Sequence, residues 1–164
     1  MFHWYGLLIG LGIVAAYGVI LLQATHIGKE QKMLDDVLIW LFLPGLFGAR
    51  AYHVITDFQL YRGRPLGEIF EVWNGGLGFY GAVIGVIVGL LLYCSSIPKT
   101  KRIQTFFTLL DLLAFGVPLA QAIGRIGNYV NKELYGSVTT LPWALHINGN
   151  TYHPLFLYEL ILNL

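Results

Sequence analysis

The stretch GRIGNYVNKELYG, residues 124–136, gathers Arg125, Asn128, Asn131, Glu133 and Gly136 directly after a long apolar run. Arg125 and Asn128 offer N–H donors toward an anion, and Gly124 and Gly127 let the backbone come close to a ligand. A phosphate suits such a group, because a guanidinium fork matches phosphate oxygens two at a time. At headgroup depth the same arginine would meet the phosphate of a phospholipid sideways from the bilayer. Other polar side chains stand in stretches that are otherwise apolar: Tyr5, Arg50, Tyr80, Tyr158 and Glu159.

What must position these residues is a membrane bundle. With 56% hydrophobic residues, 12% charged and a mean hydropathy of +0.65, the chain has too little polar surface to coat a soluble globule, in which charged residues are usually about 25%. Residues 4–23 and 76–97 are charge-free stretches of spanning length, while 37–55 is interrupted only by Arg50 and 104–124 only by Asp111. A span needs ~20 residues at ~1.5 Å each, so these read as four full spans. A fifth starts at Pro154. The last residues, HPLFLYELILNL, carry no cap or solvated tail, so the chain is expected to continue beyond Leu164. The N-terminus lacks a basic region and a small-residue cleavage site, so span one is expected to be retained.

Lys29 and Lys32 follow span one, and Lys99, Lys101 and Arg102 follow span three, against Arg62, Arg64, Arg125 and Lys132 on the other side. The compact PKTKR places joints one and three in the cytoplasm and the N-terminus outside. Depth counting at ~1.5 Å per residue then brings Tyr5, Arg50, Tyr80, Arg125 and Glu159 into the outer part of the membrane, around one expected cavity. A charge inside a span costs at least ~2.5 kcal/mol, so Arg50 and Glu159 should face protein or a polar cavity rather than lipid. The competing reading makes Arg50 a snorkelling side chain, and Tyr5 with Trp4 an interfacial aromatic belt.

Elsewhere the residues read as structural. Gly81, Gly85 and Gly89 recur every fourth residue and invite another helix close. Asp111 suits a hydrogen bond between helices, and Asp35–Asp36 a helix N-terminus. Cys94 reads as a small buried residue, and a single cysteine leaves no internal disulfide and no metal spacing. TDFQLYRGRPLGEIFEVW combines a turn with an amphipathic tail suited to the membrane surface. Segment 124–153 is too polar for a span, and YGSVTTLPWALHINGNTYHP reads as short strands and turns forming a small cap on the outer face. Net charge of +1 implies no nucleic-acid partner.

Taken together, HWYG, GLFGAR, VWNGGLGFYGAVIG, GRIGNYVNKELYG and HPLFLYE resemble, in order and spacing, the bacterial prolipoprotein diacylglyceryl transferase family. The resemblance runs over essentially all of the chain. It implies an all-α integral membrane protein of the bacterial inner membrane, a polytopic helical bundle with four full spans, the start of a fifth and a small periplasmic cap between spans four and five. Residues 1–164 would form a single transmembrane domain, with 124–153 as its extracytoplasmic head segment. The implied reaction moves the diacylglyceryl group of phosphatidylglycerol to the lipobox cysteine thiol of prelipoprotein signal peptides, with no cofactor and no metal. Arg125 and Tyr80 would be catalytic; Tyr5, Arg50, Asn128, Asn131, Glu133, Gly136 and Glu159 would bind the lipid. Where the family usually has a histidine, this chain has Tyr80, and a phenol, with an ordinary pKa near ~10, is a poor base at neutral pH. The family also has further spans and another essential arginine beyond the position of Leu164.

An alternative function is a non-catalytic membrane protein that binds or transports anionic phospholipid, with GRIGN as a headgroup clamp. Transporters usually carry internal repeats and helices broken near the midplane. Only Pro44 and Pro118 suggest breaks here, and no half of the chain is duplicated. A purely structural subunit leaves Arg50 and Glu159 without a reason.

Overall fold

The computed structural model describes residues 4–131 and 134–163; the side chains of Trp4, Tyr5 and Asn74 lie outside that description. The chain is 75% helical. Four helices are long and apolar enough to cross a membrane by length and composition: α1 (Trp4–His26), α2 (Gln31–Thr56), α3 (Phe79–Ser96) and α4 (Arg102–Asn131). A two-stranded sheet, β1 (Leu145–Ile147) and β2 (Asn150–Tyr152), and the short helix α5 (Leu155–Leu162) follow. Pro44 and Pro118 both sit inside continuous helices. Helix α2 starts at Gln31, so Asp35 and Asp36 lie beyond its first turn rather than capping it.

Two compact units divide the chain, one of Lys29–Leu110 and the other of Met1–Gly28 with Asp111–Leu164. In the first, α2 and α3 pack antiparallel with their backbones almost touching. A Cβ at Gly81 would strike the Gly48 carbonyl, one at Gly85 the Pro44 carbonyl and one at Gly89 the Trp40 carbonyl. Each step of four along α3 is answered by a step of four back along α2. Pro44 has no N–H to give the Trp40 carbonyl. It is this freed oxygen that lies against Gly89, where a Cα–H can approach it.

Gly85→Leu is therefore expected to force α2 and α3 apart, since backbone cannot yield as a flexible side chain would. Overpacking typically costs ~1–3 kcal/mol. A Cβ at Gly18 of α1 would meet nothing within 4 Å, so Gly18→Ala serves as the control. Melting of the detergent-solubilised variants would show a clear loss for Gly85→Leu and none for Gly18→Ala; equal melting would refute the glycine interface.

The α2–α3 connection is a series of short 3-10 turns, Phe58–Leu60, Leu66–Phe70 and Val72–Asn74. It leaves Leu66, Phe70 and Trp73 exposed. In the second unit, α1 packs on α4 through small residues again: a Cβ at Gly12 would meet the Ala120 carbonyl at 3.2 Å, and one at Gly116 the Ala16 carbonyl at 2.9 Å. The β hairpin turns through Asn148 and Gly149, both at positive φ (49° and 83°), which is the two-residue turn that Asn-Gly favours. Residues 136–139 run alongside β2, with the Thr139 N–H donating to the Thr151 carbonyl at 2.9 Å and the His153 N–H to the Ser137 carbonyl at 3.1 Å.

Candidate functional site

In the unit built from α1, the later part of α4 and α5, the signature stretch does not leave the helix where its polarity begins. Helix α4 continues to Asn131, so Arg125 and Asn128 are helical neighbours three apart. Arg125 donates from Nη1 to Asn128 Oδ1 at 3.3 Å, and its Nη2 forms an ion pair with Glu159 Oε2 of α5. Asn128 is buried. The Arg125 side chain is 29% exposed and that of Glu159 46%, so the pair opens to its surroundings on the carboxylate side. Chemically this is a guanidinium held in a fixed direction at the polar end of an apolar helix, suited to meet an anion.

Gly136 has a packing duty. A Cβ there would come within 2.9 Å of His153 Cβ and 3.1 Å of Leu155 Cγ, while its N–H donates to the His153 carbonyl at 2.8 Å. Asn131 is the last residue of α4 and exposed. Glu133 and the side chain of Tyr5 lie outside the described residues.

A hydrogen-bonded trio stands beside Glu159 on α5. Trp143 Nε1 donates to Tyr158 Oη at 2.9 Å, and Tyr158 Oη lies 3.2 Å from His153 Nδ1. Trp143 and His153 escape a reading of charge and depth because neither is a charge inside a span. The available signal was HPLFLYE itself, which sets His153 five residues before Tyr158.

In the α2–α3 unit, Arg50 is buried at 7% exposure and does not reach out toward headgroups. Its guanidinium donates to four carbonyls of the connection: Nε to Ile69 at 2.7 Å, Nη2 to Glu68 at 2.6 Å, and Nη1 to Gly75 at 2.8 Å and Gly76 at 3.1 Å. The Tyr61 ring lies 5.3 Å from Cζ, close enough for a cation–π contact. Gly75 and Gly76 take positive φ (82° and 69°), and a Cβ on Gly76 would collide with the His53 ring and Arg50 Nη1. Glycine is required there both by conformation and by space. A cavity of about 190 Å³ lies among Arg50, His53, Tyr61, Arg64, Glu68 and Glu71. Arg64 and Glu68 of its lining pair at 3.2 Å, and His53 pairs with Asp57 at 3.0 Å.

Tyr80 occupies the first turn of α3 just after this connection and is exposed at 66%. Its ring centroid is 6.0 Å from that of Tyr52. The Gly78 N–H donates to the Ala49 carbonyl at 2.9 Å, so the start of α3 is tied to the residue before Arg50.

Four helices able to cross a membrane, one of them ending in a guanidinium set between an amide and a carboxylate, define a helical membrane protein. The family is given by comparison with known proteins. The family model described as prolipoprotein diacylglyceryl transferase matches residues 1–164, and the chain belongs to that family. It is similar to the phosphatidylglycerol–prolipoprotein diacylglyceryl transferase of Finegoldia magna, 40% identical over 95% of this chain and 60% of that protein. The proteins of the same name from Cutibacterium acnes and Gloeobacter violaceus are 42% and 38% identical over 99% of this chain and 57% and 62% of theirs. The chain thus spans 57 to 62% of the length of these curated relatives. Family and helices together make it a multi-pass membrane protein.

Proposed function

We propose that the protein transfers the diacylglyceryl group of phosphatidylglycerol to the lipobox cysteine thiol of prelipoproteins, the first step of lipoprotein maturation. It would do so as one transmembrane domain of the bacterial inner membrane, with its N-terminus and its 124–153 head segment outside. The observation that carries this reading is the Arg125 fork, fixed by Asn128 and Glu159 at the end of an apolar helix, in a chain of this family. The substrates are those for which its relatives are named.

The reaction breaks a carbon–oxygen bond next to phosphate, so negative charge collects on the departing glycerol phosphate. A preorganised guanidinium directed at that charge stabilises the transition state more than the ground state. Asn128 orients Arg125 from its buried position, and Glu159 holds the fork until the lipid phosphate arrives. Tyr5, Asn131 and Glu133 contact the glycerol and headgroup, and Gly136 shapes the wall through His153. Arg50 pins the connection that leads into Tyr80.

The test is transfer by the full-length protein in phosphatidylglycerol vesicles to a lipobox peptide, read as a thioether-linked diacylglyceryl peptide by mass spectrometry. Lipid binding without product would favour the non-catalytic phospholipid-binding reading instead. For Tyr80, the exposed hydroxyl at the start of α3 positions lipid or thiol. Tyr80→Phe is expected to slow transfer a few-fold without changing its pH profile, and Tyr80→His to retain or raise it. Loss of a rate limb near neutrality in Tyr80→Phe would instead make Tyr80 the base.

A further inference from the structure

The transfer needs a group that takes the thiol proton, because a thiol is weakly nucleophilic until it is deprotonated. Resting on the transferase reading above, we propose that Tyr158 receives that proton and that His153, hydrogen-bonded behind it, makes it basic, with Trp143 fixing the relay. An indole N–H can only donate. The Trp143 contact at 2.9 Å therefore uses the Tyr158 oxygen as acceptor, and the phenol's own proton is left for His153 Nδ1 at 3.2 Å. In this arrangement Nδ1 carries the lone pair and the imidazole's proton sits on Nε2.

The imidazole is held where the relay needs it. The His153 carbonyl accepts from the Gly136 N–H at 2.8 Å and from the Leu155 N–H at 2.9 Å, and the His153 N–H donates to Ser137 at 3.1 Å. No side chain fits at Gly136 without displacing His153 or Leu155. Tyr158 faces the imidazole from α5, and Tyr135 and Tyr152 meet each other in a tilted ring contact with centroids 4.7 Å apart. The charges nearby in sequence and pairing, Glu159 with Arg125, neutralise each other. Tyr158 and Glu159 are consecutive on α5, so one turn of helix presents both the hydroxyl and the carboxylate that holds the phosphate-directed arginine.

The thiol proton passes to the Tyr158 oxygen as the Tyr158 proton moves to His153 Nδ1, giving an imidazolium. The sulfur forms its bond to the glycerol carbon while the carbon–oxygen bond to phosphate breaks, and the electron pair leaves on the phosphate oxygen facing Arg125. The imidazolium then gives its proton to water or to the departing phosphate, and the neutral relay is restored.

The experiment measures transfer to a lipobox peptide from phosphatidylglycerol vesicles by the full-length protein as a function of pH. The parent rate is expected to fall toward acid pH, because a protonated His153 cannot accept. Tyr158→Phe and His153→Gln should each lower transfer roughly 100-fold, the lower end of what general acid–base catalysis contributes. Both should lose the acid limb, and the double variant should be no slower than either single one, since the residues act as a unit. Nitrogen NMR of labelled histidine in the parent protein gives a readout independent of turnover: His153 should be the Nε2–H tautomer, with its Nδ1 resonance shifted in Tyr158→Phe. A parent that transfers while His153→Gln keeps its rate and its limb overturns the relay alone, as does an Nδ1–H tautomer. A parent without transfer overturns the transferase reading, and the relay with it.

Discussion

Arg125→Ala is expected to cut transfer at least ~100-fold and to weaken phosphatidylglycerol binding while the protein stays folded and inserted. The size follows from the role: removing one preorganised donor from a developing oxyanion costs about 10²–10³ in rate. The intact fold follows from geometry. Glu159, left alone, is 46% exposed at its side chain and can be solvated, and a pair this open contributes little to stability. Arg125→Lys should rescue poorly. An ammonium can meet Glu159, but it cannot span Glu159 and Asn128 together or present two parallel N–H groups to a phosphate. The controls are melting of the solubilised protein and transfer to a lipobox peptide in the same preparation. An Arg125→Ala variant that melts and transfers like the parent would remove the anion-clamp argument.

Why this residue was legible in the sequence, while its setting was not, comes down to what each depends on. An arginine beside two glycines at the end of an apolar run announces itself by cost, because charge is avoided where lipid is the solvent. The small-residue stripe Gly81, Gly85 and Gly89 is equally local, and the structure lays α2 directly on it. Polarity does not mark where α4 stops. Helix continuation follows backbone hydrogen bonding, and an amide–guanidinium pair three residues apart supports another turn beyond the apolar run, as far as Asn131. Ile69, Glu68, Gly75 and Gly76 act on Arg50 through carbonyl oxygens 18 to 26 residues away, and every residue type has such an oxygen. No side-chain pattern could reveal that set. The Trp143–Tyr158 bond spans fifteen residues across a hairpin, and here too only the fold makes the meeting visible.

The same carbonyls set the largest expected effect on stability. Arg50→Ala removes four charge-assisted hydrogen bonds at once and leaves the Glu68, Ile69, Gly75 and Gly76 carbonyls to find water or rearrange. Hydrogen bonds to charged groups contribute about 1.5–3 kcal/mol each, and even with partial replacement by water the loss should be several kcal/mol. It should be local first. Gly75 and Gly76 sit at positive φ, a conformation with little intrinsic preference, and the guanidinium is what holds both carbonyls in one direction. Arg50→Ala should therefore loosen residues 57–78 before it separates α2 from α3, whose glycine contacts it leaves untouched. Arg50→Lys should recover only part, since a single ammonium cannot reach the Glu68–Ile69 pair and the Gly75–Gly76 pair together. Limited proteolysis within 57–78, followed with melting of the solubilised protein, reads both effects. If Arg50→Ala resists protease and melts like the parent yet no longer binds phosphatidylglycerol, Arg50 is a lipid ligand and not a clamp. If cleavage in the connection rises and melting falls with it, the buried arginine is the clamp of the segment between α2 and α3.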